Sequence, residues 1–216
     1  MDQNKIFVAI VLDRSGSMQD CAKEAIGGFN RIVEDQKKVP GVTLVTLAQF
    51  DDKYELLHDG VPVEQVQPLT DETFVPRGMT ALLDAMGKTI VSVGEKLALM
   101  AEAERPAKVI MVTITDGEEN ASKEYKHARI KEMIQHQTKT YSWEFVFVGS
   151  EPKAVEDAVA FLGILPGMAF NYAADPHGTC SAYQSVSRGL SQVKCAVTSG
   201  KSDTGYKHGG GSSDGN

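Results

Sequence analysis

The sequence contains few cysteines and no long apolar run, and both absences exclude classes of protein. Its 216 residues include three cysteines, Cys21, Cys180 and Cys195, in no recognisable spacing. We therefore expect reduced thiols rather than a disulfide framework or a zinc site. No apolar stretch approaches the length of a membrane span. The first residues do not show the basic and apolar segments of a signal peptide. The sequence thus predicts a cytoplasmic protein without a membrane partner.

Positive charge is also scarce. The formal net charge is -7, the sequence pI is near 5.3, and no run of basic residues reverses this balance locally. A phosphate backbone would be repelled, so nucleic acid is excluded as the main partner. The sequence has no GxxxxGK[ST] loop and no recognisable Ser/His/Asp set. We therefore expect neither nucleotide nor serine-hydrolase chemistry.

The most informative stretch is the apolar run from Ile6 to Leu12 and the polar turn after it. The run does not alternate, which indicates a strand buried on both faces, as in the middle of a parallel sheet. It stops at Asp13, and Ser15 and Ser17 follow at alternate positions. Ligands bind open α/β sheets at the carboxyl ends of strands, and this cluster lies at such an end.

Strand-like and helix-like segments then alternate along the chain. Further strands are predicted at Val42–Phe50, Lys108–Thr115, Trp143–Val148 and Met168–Tyr172, with an antiparallel edge strand at Lys53–His58. Helices are predicted after Met18 to Lys38, from Thr80 to before Pro106, and at Glu118–Gln137, Glu151–Leu162 and Thr179–Val197. This order predicts an α/β, Rossmann-like, doubly wound fold whose central sheet is mostly parallel, with helices on both faces. We expect one domain over residues 1–197 and a disordered Gly/Ser-rich tail over 198–216.

Oxygen-bearing side chains from three separate segments fall where a strand ends or a helix begins. They are Asp13, Ser15, Ser17, Thr80 and Asp116. If the first strand and the Lys108 strand are neighbours, these five converge at one edge of the sheet. Two carboxylates, three hydroxyls and water suit a hard divalent cation such as Mg²⁺. Taken singly, each residue also fits a helix cap or a turn, and only the coincidence favours a metal.

The same residues resemble the signature of the von Willebrand factor A family. Asp13-Arg-Ser15-Gly-Ser17 is similar to its DxSxS motif, Gly78-Met-Thr80 to its threonine loop, and Thr115-Asp116-Gly117 to its third loop. The resemblance implies a metal-ion-dependent adhesion site that holds Mg²⁺ or Mn²⁺ through Asp13, Ser15, Ser17, Thr80 and Asp116. It also implies that an acidic side chain of a partner protein completes the coordination.

The resemblance further implies a binding module rather than an enzyme. The chain is similar to small, stand-alone bacterial and phage versions, and intracellular members work with an AAA+ ATPase or another multiprotein assembly. One alternative is a Mg²⁺-dependent phosphotransferase of the haloacid dehalogenase type, whose pattern has a second aspartate where this chain has Ser15. A serine hydroxyl cannot replace that acid/base group near neutral pH. The other alternative is an assembly subunit with a vestigial metal site.

Several charged residues near these motifs receive ordinary interpretations. We expect Arg14 to be a solvated side chain, with the guidance of an acidic partner as the alternative. Asp51 and Asp52 are expected to form a turn, and Asp84 to be a surface charge favoured by the helix dipole or an acceptor near the site. Glu118, Glu119 and Asn120 are expected to begin a helix.

Overall fold

A six-stranded sheet forms the centre of the protein. The computed structural model describes residues 1–201 and 204–208. The strands lie in the order β3-β2-β1-β4-β5-β6. Their bounds are Asp2–Asp13 (β1), Val42–Phe50 (β2), Tyr54–Pro62 (β3), Pro106–Thr115 (β4), Glu144–Gly149 (β5) and Ala169–Asn171 (β6).

Over residues 1–201 and 204–208, five α-helices cover the sheet. Their bounds are Ala22–Lys38 (α1), Leu82–Leu99 (α2), His127–Tyr141 (α3), Pro152–Ala160 (α4) and Pro176–Thr198 (α5). A 3₁₀ turn at Gly16–Cys21 leads into α1, so this helix begins later than its apolar spacing predicts. Within the described residues, no helix has both the length and the apolar character needed to cross a membrane.

The pairing of β1 explains how distant segments come together. β1 is parallel to β2 on one side and to β4 on the other, with Leu12 opposite Ile114. β3 is antiparallel to β2 and forms one edge of the sheet. The predicted fold class is therefore confirmed: a mostly parallel, doubly wound sheet with one antiparallel edge strand.

Alternate residues of β1 belong to two separate apolar cores. Ile6, Val8, Ile10 and Leu12 pack with α1 and α5, whereas Phe7, Ala9 and Val11 pack with α2, α3 and α4. All seven are at most 1% exposed. A strand with both faces buried needs apolar residues at every position, which accounts for the unbroken run.

The helix predicted at Glu118–Gln137 is wrong in its first half. α3 begins at His127, and the preceding residues form a loop over the start of α2. Glu119 accepts hydrogen bonds from the backbone N–H groups of Leu83, Ala121 and Ser122. These bonds satisfy an orphan donor of α2 and hold the loop in a conformation that competes with helix formation.

The end of the chain differs in part from the predicted tail. Thr198 lies in α5, and Tyr206 is 3% exposed, with its backbone N–H donating to Glu144 Oε2 at 2.8 Å. His208 stacks on Phe170 with ring centroids 3.7 Å apart. Residues 202–203 and 209–216 lie outside the described residues, and for them the disordered tail stays a prediction.

α1 and α5 pack so closely that one glycine position leaves no room for a side chain. A methyl group on Gly28 would lie 2.3 Å from Tyr183 Cγ, whereas one on Gly27 would meet nothing within 4 Å. Tyr183 is 1% exposed. The contact therefore tolerates hydrogen and no larger group at position 28.

These neighbouring glycines give a matched test of the α1–α5 contact. We expect Gly28→Ala to lower the free energy of unfolding by about 1–3 kcal/mol through overpacking against Tyr183. Gly27→Ala, on the open side of the same turn, should raise it by about 0.5–1 kcal/mol because alanine favours the helix. Urea unfolding followed by circular dichroism measures both, and equal effects of the two substitutions would contradict the packing.

Candidate metal centre

Three loops meet at the carboxyl edge of the sheet, above β1 and β4. The first contains Asp13, Ser15 and Ser17, the second leads to Thr80 at the start of α2, and the third begins with Asp116 after β4. The Gly16 N–H donates to the Gly78 carbonyl oxygen at 3.2 Å and so joins the first two loops. The predicted convergence of the three segments is thus present in the structure.

Hydrogen bonds link the first loop to the third. Ser15 Oγ and Ser17 Oγ lie 3.1 Å apart, and Ser17 Oγ donates to Asp116 Oδ1 at 2.7 Å. Asp13 Oδ1 accepts from the Ser15 N–H at 2.6 Å, and its Oδ2 accepts from Thr115 Oγ1 at 2.5 Å. Asp13, Ser15, Ser17 and Asp116 therefore form one continuous polar cluster.

Thr80 faces the same point from the second loop. A methyl group on Gly117 would lie 3.2 Å from Thr80 Oγ1 and 3.7 Å from Ser17 Oγ, so both hydroxyls adjoin this glycine. The Thr80 N–H donates to Asn120 Oδ1 at 2.9 Å, and the Thr80 carbonyl accepts from the Asn120 and Ala121 N–H groups. The third loop thus holds Thr80 in place.

Asp13 is buried and Asp116 is half-buried, and neither carboxyl group has a positive partner among the described residues. Asp13 is 0% exposed, and burial raises its pKa to about 7. Hydrogen bonds from Thr115 and Ser15 oppose this effect, and the charge of Asp116 adds to it. Burial also raises the pKa of Asp116, against the hydrogen bond from Ser17. No basic side chain of the described residues forms a salt bridge with either carboxyl group.

This donor set fits a hard divalent cation. It offers three hydroxyl and two carboxylate oxygens, the ligand type that Mg²⁺ and Mn²⁺ prefer. Among the described residues, no three Asp, Glu, His or Cys side chains are grouped as a metal site. The cluster contains two such residues, so its ligand count depends on Ser15, Ser17 and Thr80. A cation there would supply the positive charge that the two carboxyl groups lack.

Arg14 is not solvated, contrary to expectation. It is 3% exposed and points away from the cluster, toward Asp51, which is 0% exposed. Asp51 Oδ2 accepts from Arg14 Nε at 3.1 Å and from Arg77 Nε at 2.9 Å. Glu55 Oε1 lies 2.7 Å from Arg14 Nη2 and 3.0 Å from Arg77 Nη2. Asp51 is thus more than a turn residue, and its long-range partners leave no local sequence signal.

Asp84 is a buried acceptor rather than a surface charge. Its carboxylate accepts from the backbone N–H groups of Lys123, Glu124 and Tyr125 at 2.8–2.9 Å. Burial alone would raise the pKa of Asp84, but these three donors lower it below its usual value. Asp84 therefore binds the third loop to α2 and, as expected, is not among the converging oxygens.

The fold is that of von Willebrand factor A domains. The chain is similar to a von Willebrand factor type A structure from Catenulispora acidiphila, with a TM-score of 0.59, 13% identity, and coverage of 87% of this chain and 43% of that one. It is also similar to proximal thread matrix protein 1 from the mussel byssus with a zinc-occupied MIDAS motif. That likeness has a TM-score of 0.59 and 15% identity, over 88% of this chain and 47% of that one.

The chain spans less than half the length of these solved structures. No family model matches the sequence, and no curated protein matches it. At 13–15% identity, the likeness establishes the fold. The assignment of metal ligands therefore depends on the geometry of this chain.

The buried Asp13 carboxyl predicts a specific pH dependence for the metal-free protein. Its pKa rises from 3.8 to about 7 on folding, so the folded state favours the proton. The resulting cost to stability is absent below pH 4, grows as the pH rises through about 7, and then levels off. We expect Asp13→Asn to gain stability relative to wild type over this range, on the order of 1–4 kcal/mol.

Urea unfolding in EDTA at pH 4–8 measures this difference. Asp59→Asn is the matched control, because it removes the same charge from an exposed ion pair with Lys96. If the difference in unfolding free energy between wild type and Asp13→Asn stays constant from pH 4 to pH 8, the raised pKa of this carboxyl group is contradicted.

Proposed function

We propose that this protein is a non-catalytic interaction module that binds a divalent cation, Mg²⁺ or Mn²⁺, and recruits an acidic side chain of a partner protein. Asp13, Ser15, Ser17, Thr80 and Asp116 hold the cation. The observation that carries the proposal is that a buried and a half-buried carboxyl group, neither with a positive partner among the described residues, adjoin three hydroxyls from two separate loops.

The ligand count favours an open coordination position. Mg²⁺ takes about six oxygens in near-octahedral geometry and usually keeps some waters. Five side chains leave at least one position for water or an outside ligand. Three of the five are neutral hydroxyls, so the ion retains the ability to attract an external carboxylate.

The surroundings of the site favour a protein partner over a small substrate. Gly16 and Ser17 are exposed, so the cluster opens on the outer surface. Met79, next to Thr80, is 57% exposed, and Val75 in the same loop is 46% exposed. These two apolar side chains provide contact area for a partner surface on the loop that leads to Thr80.

The comparisons support a divalent ion in this fold. The mussel byssus structure is described with zinc in its MIDAS motif. Zinc also accepts oxygen ligands, but three hydroxyls favour a harder ion such as Mg²⁺ or Mn²⁺. We propose that this chain works in the cytoplasm with a partner that provides a carboxylate, such as an AAA+ ATPase or another multiprotein assembly.

The structure offers no support for the phosphotransferase alternative. Ser15 occupies the position where that chemistry needs a second aspartate, and its hydroxyl is hydrogen-bonded within the cluster. Within the part of the chain that the structure describes, no histidine is hydrogen-bonded to Asp13, Ser15, Ser17 or Asp116. Both carboxyl groups of the cluster are proposed as ligands of the cation, so no further acid/base group stands in the place of that second aspartate.

Removal of one hydroxyl tests the metal site with little change in shape. We expect Mn²⁺ to bind the wild-type protein and Thr80→Val to bind at least about tenfold more weakly, because one ligand oxygen is lost. Thr113→Val, the same change at a buried position of β4, should bind like wild type. Isothermal titration with Mn²⁺ and Mg²⁺ measures these affinities, and equal binding by Thr80→Val would contradict the assignment.

Recruitment of a partner through the cation predicts metal-dependent capture. A partner retained by immobilised wild-type protein in Mn²⁺ should be released by EDTA and should not bind Ser17→Ala. Gly27→Ala serves as a folded control with an intact site. Retention that survives both EDTA and Ser17→Ala would exclude a cation bridge.

A further inference from the structure

We propose that Asp51 and Arg77 are positioning residues of the metal site, which set the separation between the loop of Ser15 and Ser17 and the loop of Thr80. The inference rests on the proposed metal function and goes beyond it. Neither residue belongs to the set that holds the cation. They act together with Arg14: the Asp51 carboxylate binds both Arg14 and Arg77, one from each loop.

The contact is built from one residue of each loop. Arg14 stands between Asp13 and Ser15 in the first loop, and Arg77 lies three residues before Thr80 in the second. Both place Nε on the same oxygen, Asp51 Oδ2, at 3.1 and 2.9 Å. One carboxylate oxygen therefore fixes both loops at once.

The backbone repeats the same connection. The Arg77 N–H donates to the Arg14 carbonyl at 2.9 Å, and the Ala81 N–H donates to the Asp51 carbonyl at 2.9 Å. The Arg14 N–H donates to the Phe50 carbonyl at 2.8 Å. Thr80 thus lies between two anchored residues. The Arg77 backbone is bonded to Arg14, and the Ala81 backbone is bonded to Asp51.

Burial and charge balance make the arrangement rigid. Asp51 is 0% exposed, and its second oxygen accepts from the Lys53 N–H at 2.7 Å. Glu55 pairs with both arginines, so the two positive and two negative side chains are formally neutral together. Loss of one member leaves an uncompensated charge beside the loops and lets them separate.

Arg77→Gln is the most informative variant because Arg77 is 49% exposed, so its replacement removes two ion pairs and leaves the apolar cores untouched. We expect Mn²⁺ affinity to fall about 10–100-fold, the range seen when groups that orient metal ligands are removed. Asp51→Asn should lower it at least as much. Asp59→Asn, which removes a surface charge paired with Lys96, should leave it unchanged.

A double-mutant cycle separates positioning from general destabilisation. If Arg77 acts by placing Thr80, Thr80→Val weakens Mn²⁺ binding strongly in wild type and much less in Arg77→Gln. Fully additive losses, or an unchanged affinity in Arg77→Gln, would overturn the proposal. Circular dichroism melts confirm that each variant is folded during the titration.

Amide hydrogen exchange provides a second readout without metal. Arg77→Gln should speed exchange at the Gly16 amide, which donates to the Gly78 carbonyl, and at the Ala81 amide, which donates to the Asp51 carbonyl. The β4 amides should exchange as in wild type. Unchanged exchange at Gly16 and Ala81 would overturn the positioning role. If wild-type protein fails to bind Mn²⁺ while these amides still respond, the proposed metal function fails and the mechanical link between the loops stands.

Discussion

Asp13 and Asp116 lie at the ends of adjacent parallel strands, and the fold brings their carboxyl groups into one polar cluster, with Asp13 buried and Asp116 half-buried. The register of β1 and β4 fixes this proximity, and the apolar residues on both faces of β1 fix the register. Hydroxyl and amide donors surround the two carboxyl groups, but no basic side chain of the described residues pairs with them. Burial of such groups costs free energy that a bound cation recovers.

The other buried acids of this edge have partners. Asp51 binds two arginines, and Asp84 accepts three backbone N–H groups. These compensated charges hold the loops around the uncompensated pair. At this edge of the sheet, Asp51 and Asp84 are compensated and hold the loops. The negative charge of Asp13 and Asp116 is left for a bound cation to compensate.

The sequence predicts the sheet, the order of its elements and the meeting of the three loops, because each depends on local patterns and on parallel-strand topology. It misses the loop over α2, where Glu119 bonds to backbone groups of α2 instead of beginning a helix. It also misses the burial of Arg14, because Asp51 and Glu55 are 37 and 41 residues away. Contacts that join distant residues through single side chains leave no periodic signal.

A crystal grown in Mn²⁺ and measured for anomalous scattering tests the central claim most directly. The account predicts one strong peak among the three loops, within coordination distance of the Ser15, Ser17 and Thr80 oxygens, with at least one coordination position taken by water or an outside carboxylate. Absence of a peak at this point, in crystals where Mn²⁺ exceeds millimolar concentration, would contradict the account.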